Sequence, residues 1–460
     1  MEKQEASKNP LKEITQPFID LVHAPRALWG INLPYFFEGF VYFGILGYLA
    51  MYFSDYVGLN DHMADIMVGV LTWGITFSMF LFGGLADKWG VRRALLIAFV
   101  LMIGGRAILA GGSYLGLTIG LWSPLFWVSM LGILLITLGY GMYQPAAYAA
   151  VRQFTTPKTA AMGYAMLYAL MNLGGWLPTF FSPVRKAIGI PGAFWVYTGI
   201  TVLALLSTWL ILSKRVVRET MERIKAETGV DVSKEDDEGE EGKPKEPFSL
   251  IKWFKNHPLA DPKFSFFIFC LIPVQTLFAH NWLTLPMYVA RAYQGTWIGD
   301  NFEVAVNFNP LLIFILVPIV TAVTQKRNVY NMMIAGTFVM ALPTFLLALG
   351  PSFWTLLGYL VLMTIGEAMW QPRFLQYAAE IAPKGRTGAY MGVAQFPWFL
   401  TKVVTSLYAG WFLANYCPKE GKMDTEFMWF VYGLIAISST VMLILARGWV
   451  GKDFKTKADD

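Results

Sequence analysis

Glu367 and Arg373 lie inside an apolar run, residues 353–379, that is long enough to cross a lipid bilayer. A charge at mid-bilayer costs from about 2.5 to well over 10 kcal/mol, so such residues nearly always line a polar cavity or a pathway. The surrounding sequence, GEAMWQPRFLQYAAEIAP, sets Pro372 just past one helical turn from the carboxylate. A helix carrying that proline cannot be fully regular. Further charges fall in other apolar runs: Glu38, Arg106 and Lys402. Neutral polar groups accompany them, namely Asn172, Asn309, Gln144, Tyr42, Tyr168 and His280. Together these types suit an amphoteric ligand: a carboxylate for an amine, a cation for an acid, amides and phenols for neutral polar groups. The competing reading is structural, with the charges paired to hold helices together.

The elements that must position these groups are membrane helices. The hydrophobic fraction of 56% exceeds the roughly 45–50% of soluble domains, and a span needs about 20 apolar residues. Twelve runs meet that need, near 32–53, 63–86, 93–112, 125–150, 162–183, 192–213, 264–291, 305–325, 331–350, 353–380, 388–415 and 426–447. The expected fold is all-α, with twelve transmembrane helices in two six-helix bundles and both termini cytoplasmic. Of the 36 Lys and Arg, Arg185, Lys186, Arg291, Lys419 and Lys422 fall outside and Arg106, Arg373 and Lys402 within spans. The rest gather on the cytoplasmic side, as the positive-inside rule requires. That asymmetry accounts for the net charge of +5 without nucleic acid. The expected divisions are an N-terminal segment 1–31, able to lie along the interface, a bundle 32–213, a linker 214–262, a bundle 263–447 and a tail 448–460. The linker contains RVVRETMERIKAE, which reads as an amphipathic helix, and the low-complexity run KEDDEGEEGKPKE, which reads as disordered. Cys270 and Cys417 lie near opposite faces, which argues against a disulfide. The scattered His23, His62, His257 and His280 form no His-Glu-x-x-His site, and no phosphate-binding Gly-x-x-x-x-Gly-Lys-Ser/Thr loop is present. No enzyme, metal or cofactor is expected. Prolines at 145, 178, 273, 286, 318, 343, 372 and 397 fall inside spans, where each permits a bend.

Six spans, a cytoplasmic linker and six more spans resemble the major facilitator superfamily, in which two bundles rock about a central site. The loop GGLADKWGVRR strengthens the resemblance. Gly83, Leu85, Asp87, Lys88 and Gly90 match the superfamily's cytoplasmic loop motif, Arg92 and Arg93 follow, and Val91 departs from a common basic residue. Its glycines allow a tight turn, and Asp87 can pair with a cation or a helix N-terminus to lock the bundles together. Four further segments resemble the proton-coupled oligopeptide transporters. They are Gly366, Glu367, Pro372, Ala382 and Pro383 in the tenth span; Asn309, Pro310 and Pro318 in the eighth; Tyr168, Asn172 and Gly174 in the fifth; and Glu38, Phe40, Tyr42 and Gly44 in the first. Three departures accompany them: Tyr35 stands for the family's first Glu, Gly39 for its Arg, and Gln144 for its lysine. Glu380 also occupies a position that is often lysine.

The resemblance implies a secondary active transporter that moves di- and tripeptides by alternating access and proton-coupled symport. The alternative is a carrier or uncoupled facilitator of another small amphoteric or anionic solute. On the peptide reading, Glu367 receives the amine, and Asn172, Asn309, Gln144 and Tyr42 bond to peptide groups. Trp282, Trp370, Trp398 and Tyr168 wall side-chain pockets, while Arg106, Arg373 and Lys402 compete for the carboxylate. Lys402 has a second reading, as an ion-pair partner of Glu367. Proton coupling rests on Glu38 and His280, an imidazole able to titrate near neutral pH. Gly83, Asp87, Lys88, Gly90 and Arg92 form the gate. The expected setting is a monomer in a bacterial inner membrane, with peptide, protons and the bilayer as partners; no cleavable signal peptide is read at the N-terminus.

Overall fold

The computed structural model describes residues 19, 22–156, 159–228, 257–300, 302–324, 327–383, 385–418 and 420–451. Among these residues all regular structure is helical. In the first half the helices are α1 (Arg26–Asp55), α2 (Asp61–Phe82), α3 (Leu85–Trp89), α4 (Val91–Gly112), α5 (Pro124–Phe154), α6 (Ala160–Trp176) and α7 (Ser182–Ile211), followed by α8 (Lys214–Thr228). In the second half they are α9 (Pro262–Phe269), α10 (Ile272–Leu283), α11 (Leu285–Ala292), α12 (Trp297–Asp300), α13 (Phe302–Thr324), α14 (Val329–Ala341), α15 (Thr344–Leu347), α16 (Phe353–Glu380), α17 (Thr387–Ala394), α18 (Phe396–Tyr416) and α19 (Thr425–Ala446).

Among the described residues, nine helical stretches are long and apolar enough to cross a membrane. The other three expected spans are helical at the expected places but differ in form. One is α2, one is the 17-residue α6, and the third is divided into α17 and α18. Backbone chemistry explains the breaks. The expected span 264–291 is divided at Cys270–Leu271 and again at Thr284, ahead of Pro273 and Pro286. The expected span 331–350 breaks ahead of Pro343, and the eleventh breaks at Gln395, ahead of Pro397. A proline lacks the N–H that would continue the ladder and crowds the preceding turn. Inside α7, Gly189 adopts φ 73°, so the continuous part of that span starts near Pro191, where the apolar run predicts it.

Helix starts are set by short polar side chains at the ends of the apolar runs. Asn60, Ser123, Asn328 and Asp424 each accept a backbone N–H of the first turn, and Ser352 forms a capping box with Thr355. The helices sort by contact into two sets. In the first, α1 packs on α6 and α7, α4 on α5 and α7, and α2 on α5; in the second, α16 packs on α13 and α14, and α10 on α18 and α19. The sets meet where α6 packs against α13 and α16, and where α17 packs against α2, α3 and α5.

Helix α8 carries the expected amphipathic segment. Ile224 and Thr220 are buried on one face, while Arg215–Glu219, Arg218–Glu222 and Arg223–Glu227 pair on the other. Such exposed i,i+4 pairs are screened by solvent and add little stability. The acidic run after it, most of the N-terminal segment and residues 452–460 of the tail lie outside the described residues.

Candidate functional site

Glu367 sits where the two helix sets touch. Its side chain is 1% exposed. One carboxylate oxygen accepts the Tyr168 hydroxyl of α6 at 2.5 Å, and the other accepts the Asn309 amide of α13 at 2.8 Å. Asn309 also donates to the Thr364 hydroxyl at 3.0 Å, one turn before Glu367 on α16. One buried anion is thus held by two neutral donors on different helices, one from each set. The preceding Gly366 is required by packing, because a Cβ there would stand 2.2 Å from the Met340 nitrogen of α14. Asn172 turns its amide nitrogen back to the Tyr168 carbonyl at 3.0 Å, and so supports the helix turn that aims Tyr168.

The other intramembrane charges have their own partners. Arg106 of α4 holds both oxygens of Glu38 of α1, and donates to the Thr201 hydroxyl of α7 at 2.5 Å. Glu38 and Arg106 are each 1% exposed, so this pair ties three helices inside the first set. The described bonds of Arg106 thus go to Glu38 and Thr201. Next to it, Tyr42 packs on Tyr140 with ring centroids 5.0 Å apart. Tyr35 donates to the Tyr148 hydroxyl at 3.3 Å and adjoins Gln144, which is half-buried beside Pro145. Arg373 is buried and donates to Gln376 at 2.9 Å, and Gln376 in turn donates to Glu380 at 3.0 Å, forming a polar ladder along α16.

His280 is packed inside the second set. Its ring nitrogens lie 2.8 Å from the Thr284 hydroxyl and 3.1 Å from the Tyr408 hydroxyl, and the ring stacks on Tyr432 at 3.8 Å. His280 is wholly buried. Lys402 has a different surrounding, with its ammonium 3.7 Å from the centre of the Trp398 ring.

The loop motif forms a closed contact at the end that carries most of the basic residues. Asp87 of α3 accepts the N–H groups of Gly388 and Ala389, at 2.8 and 3.1 Å, in the first turn of α17. A carboxylate there meets both unsatisfied donors and the positive end of the helix dipole. The approach depends on small residues: a Cβ on Gly388 would stand 2.3 Å from the Gly83 carbonyl oxygen, and one on Gly392 2.3 Å from that of Met79. Gly90 adopts φ 78°, a conformation that favours glycine, and Lys88 is exposed. Arg92 donates to the Leu212 carbonyl and so caps the end of α7; its described bond lies within the first set.

Sequence reading missed Arg152. This last basic residue of α5 donates to the Ala382 carbonyl at 3.1 Å and the Thr387 hydroxyl at 2.6 Å, across the boundary between the sets. Its signal was an Arg at a helix C-terminus, which composition reads only as positive-inside charge. Phe80 of α2 adds to the same closure, packing on Phe396 of α18 and on His257, with centroids 5.6 and 4.6 Å apart.

Two sets of membrane-length helices that meet around buried charges and close on each other at one end define a membrane carrier. Residues 31–406 match the Major Facilitator Superfamily, and the chain belongs to that family of transporters. It is 25% identical over 169 residues to Peptide transporter family 1 of Drosophila melanogaster; the match covers 35% of this chain and spans 22% of that relative's length. Over 404 residues it is 20% identical to Multidrug resistance protein MdtH of Photorhabdus laumondii, covering 86% of this chain and 88% of the other. Among solved structures, the proton:xylose symporter XylE superimposes with a TM-score of 0.66 at 14% identity, covering 94% of this chain and 97% of that one. A peptide transporter of the POT family in complex with sulfate gives 0.57 at 17%, covering 93% and 95%. At these identities the structural likeness speaks for the fold.

Proposed function

We propose that this chain is a secondary active transporter that carries di- and tripeptides by alternating access, with Glu367 as the group that recognises the peptide amine. The observation that carries the reading is the position of Glu367, a buried carboxylate held by Tyr168 from one bundle and Asn309 from the other. A protonated amine arriving there offers a charged donor in place of the Tyr168 hydroxyl. Charge-assisted bonds are about twice as strong as neutral ones, so the exchange favours the ligand and frees the bundles from each other at that point. Peptide-transporter relatives in sequence and in fold support the same class.

A proton can make the same exchange. Coupling is assigned to Glu367 rather than to Glu38 and His280, because its described partners lie on both bundles. Those of Glu38 lie within the first bundle, and those of His280 within the second. The contacts of Asp87 and Arg152 then act as the latch on the side expected to be cytoplasmic, and the protein works as a monomer in a bacterial inner membrane.

The test is a thermal-shift screen of the purified protein with dipeptides, tripeptides, free amino acids, nucleosides and sugars. A ligand of the native state at 100 times its Kd adds about 2.7 kcal/mol of stability. The expected result is a shift with small peptides only; a response confined to sugars or nucleosides would end the peptide reading. Uptake into liposomes with and without an inward proton gradient tests the coupling, and equal uptake in both would remove it.

A further inference from the structure

The substrate's acid group needs a cation, and the first bundle presents none of the candidates to the passage. Arg106 is committed to Glu38 and Thr201, and Gln144 is neutral. In the second bundle Arg373 bonds along its own helix to Gln376. Lys402 differs. Its ammonium lies 3.7 Å from the centre of the Trp398 indole, and among the described residues no carboxylate lies within 4.0 Å of it. An aromatic face attracts the charge without taking up the ammonium's N–H donors.

The position of Lys402 on α18 indicates where those donors point. The exposed residues of this helix form one broad face. Val404, Leu407 and Trp411 form an apolar stripe suited to lipid. Trp398 and Lys402, four residues apart and both half-buried, stand on the far side of the helix from Val404 and Trp411, next to the buried Thr401 and Thr405. A side of indole, ammonium and hydroxyls is unsuited to hydrocarbon and suited to a polar passage. Depth agrees as well. Glu367 lies 13 residues before the end of α16 at Glu380, and Lys402 lies 15 residues after the start of α17 at Thr387. At 1.5 Å per residue both stand about 20 Å from the same end of the molecule.

We propose that Lys402, steadied by Trp398, binds the carboxylate of the substrate, so that both charges of a zwitterionic peptide are met by the C-terminal bundle. The proposal rests on the peptide reading above and assigns its missing cation. A substrate bound by both ends to one bundle stays with that bundle as the two part, and the first bundle supplies neutral groups and closure.

The test compares dialanine, dialanine amide and N-acetyl-dialanine as ligands of the wild type, Lys402→Gln and Lys402→Arg, by thermal shift and by competition for uptake in liposomes. A charged hydrogen bond lost from a buried site costs about tenfold or more in affinity. The wild type is expected to bind dialanine at least tenfold more tightly than its amide. In Lys402→Gln that preference disappears while the preference over the N-acetyl form remains; Lys402→Arg keeps both. If Lys402→Gln does not fold, Trp398→Phe carries the comparison, and it should change the acid-to-amide ratio more than the acid-to-acetyl ratio, with Lys402→Arg as the variant that keeps both. Equal weakening of acid and amide in the variants would make Lys402 a structural partner of another group and overturn the proposal. Failure of every dialanine form to bind the wild type would instead remove the peptide reading itself.

Discussion

Glu367 and Glu38 are both buried carboxylates in membrane helices, yet their partners give them different work. Glu367 is met by a phenol and an amide from opposite bundles, so nothing neutralises its charge at those contacts and a cationic ligand or a proton can. Glu367→Gln should therefore lower uptake of unmodified dipeptide by more than tenfold while leaving the protein folded; undiminished uptake would remove Glu367 from recognition. Glu38 has its counter-charge in place. Taking away one partner of a buried ion pair costs on the order of 3–5 kcal/mol, because the other charge is left without compensation. Glu38→Gln is thus expected to lower the thermal unfolding temperature sharply, and Glu38→Gln with Arg106→Gln to recover much of the loss. A double variant as unstable as the sum of the singles would show that the two residues act independently. The types and spacing of these residues are visible in the sequence, but which anion is paired and which is shared between bundles is not, since Glu38 and Arg106 stand 68 residues apart.

At the scale of elements, the short helix α17 is the part that closes one end. It accepts the close approach of Gly83 through Gly388, hands two N–H groups to Asp87, and receives Arg152 at Thr387. Asp87→Asn keeps one acceptor and loses the charge, a loss of about 1–2 kcal/mol from the closed state. That corresponds to roughly a tenfold shift toward opening at this end, readable as increased labelling of cysteines placed beside Gly388. Unchanged labelling would show that Asp87 does not hold the latch. Gly388→Val should be more damaging, because the obstacle it meets is backbone. The loop motif made Asp87 and the glycines legible. Arg152 was not legible, because its partners are a carbonyl and a hydroxyl more than 200 residues away, and neither leaves a mark in the sequence around it.

At the scale of the whole molecule, the two bundles meet through a few such contacts, and one of them should respond to pH. Burial, and after it the nearby Arg386, hold His257 below the usual histidine value, while its ring packs on Phe80 and its Nδ1 accepts the Leu259 N–H. The neutral ring therefore belongs to the closed form. Its contribution is present above about pH 6.5, the ordinary histidine value, and is lost as pH falls from there through the lowered folded value. His257→Asn keeps an acceptor for Leu259, and should show a smaller fall in unfolding temperature between pH 7.5 and pH 5.5 than the wild type; identical falls would acquit His257. By itself the sequence determined the membrane character, the places of the helices and the family, because these follow from runs of apolar residues, loop charge and local motifs. It also singled out Glu367, because a charge in such a run is costly to keep there. The breaks near Cys270, Thr284 and Gln395 were half-written in it, as prolines that permit a bend without saying where the backbone gives way. Partner choice was left to the tertiary structure. It placed Arg106 against Glu38, enclosed His280 among tyrosines, brought Tyr168 to Glu367 and left Lys402 with an indole, since hydrogen bonds form between groups that chain topology, rather than sequence distance, brings within 3 Å of each other.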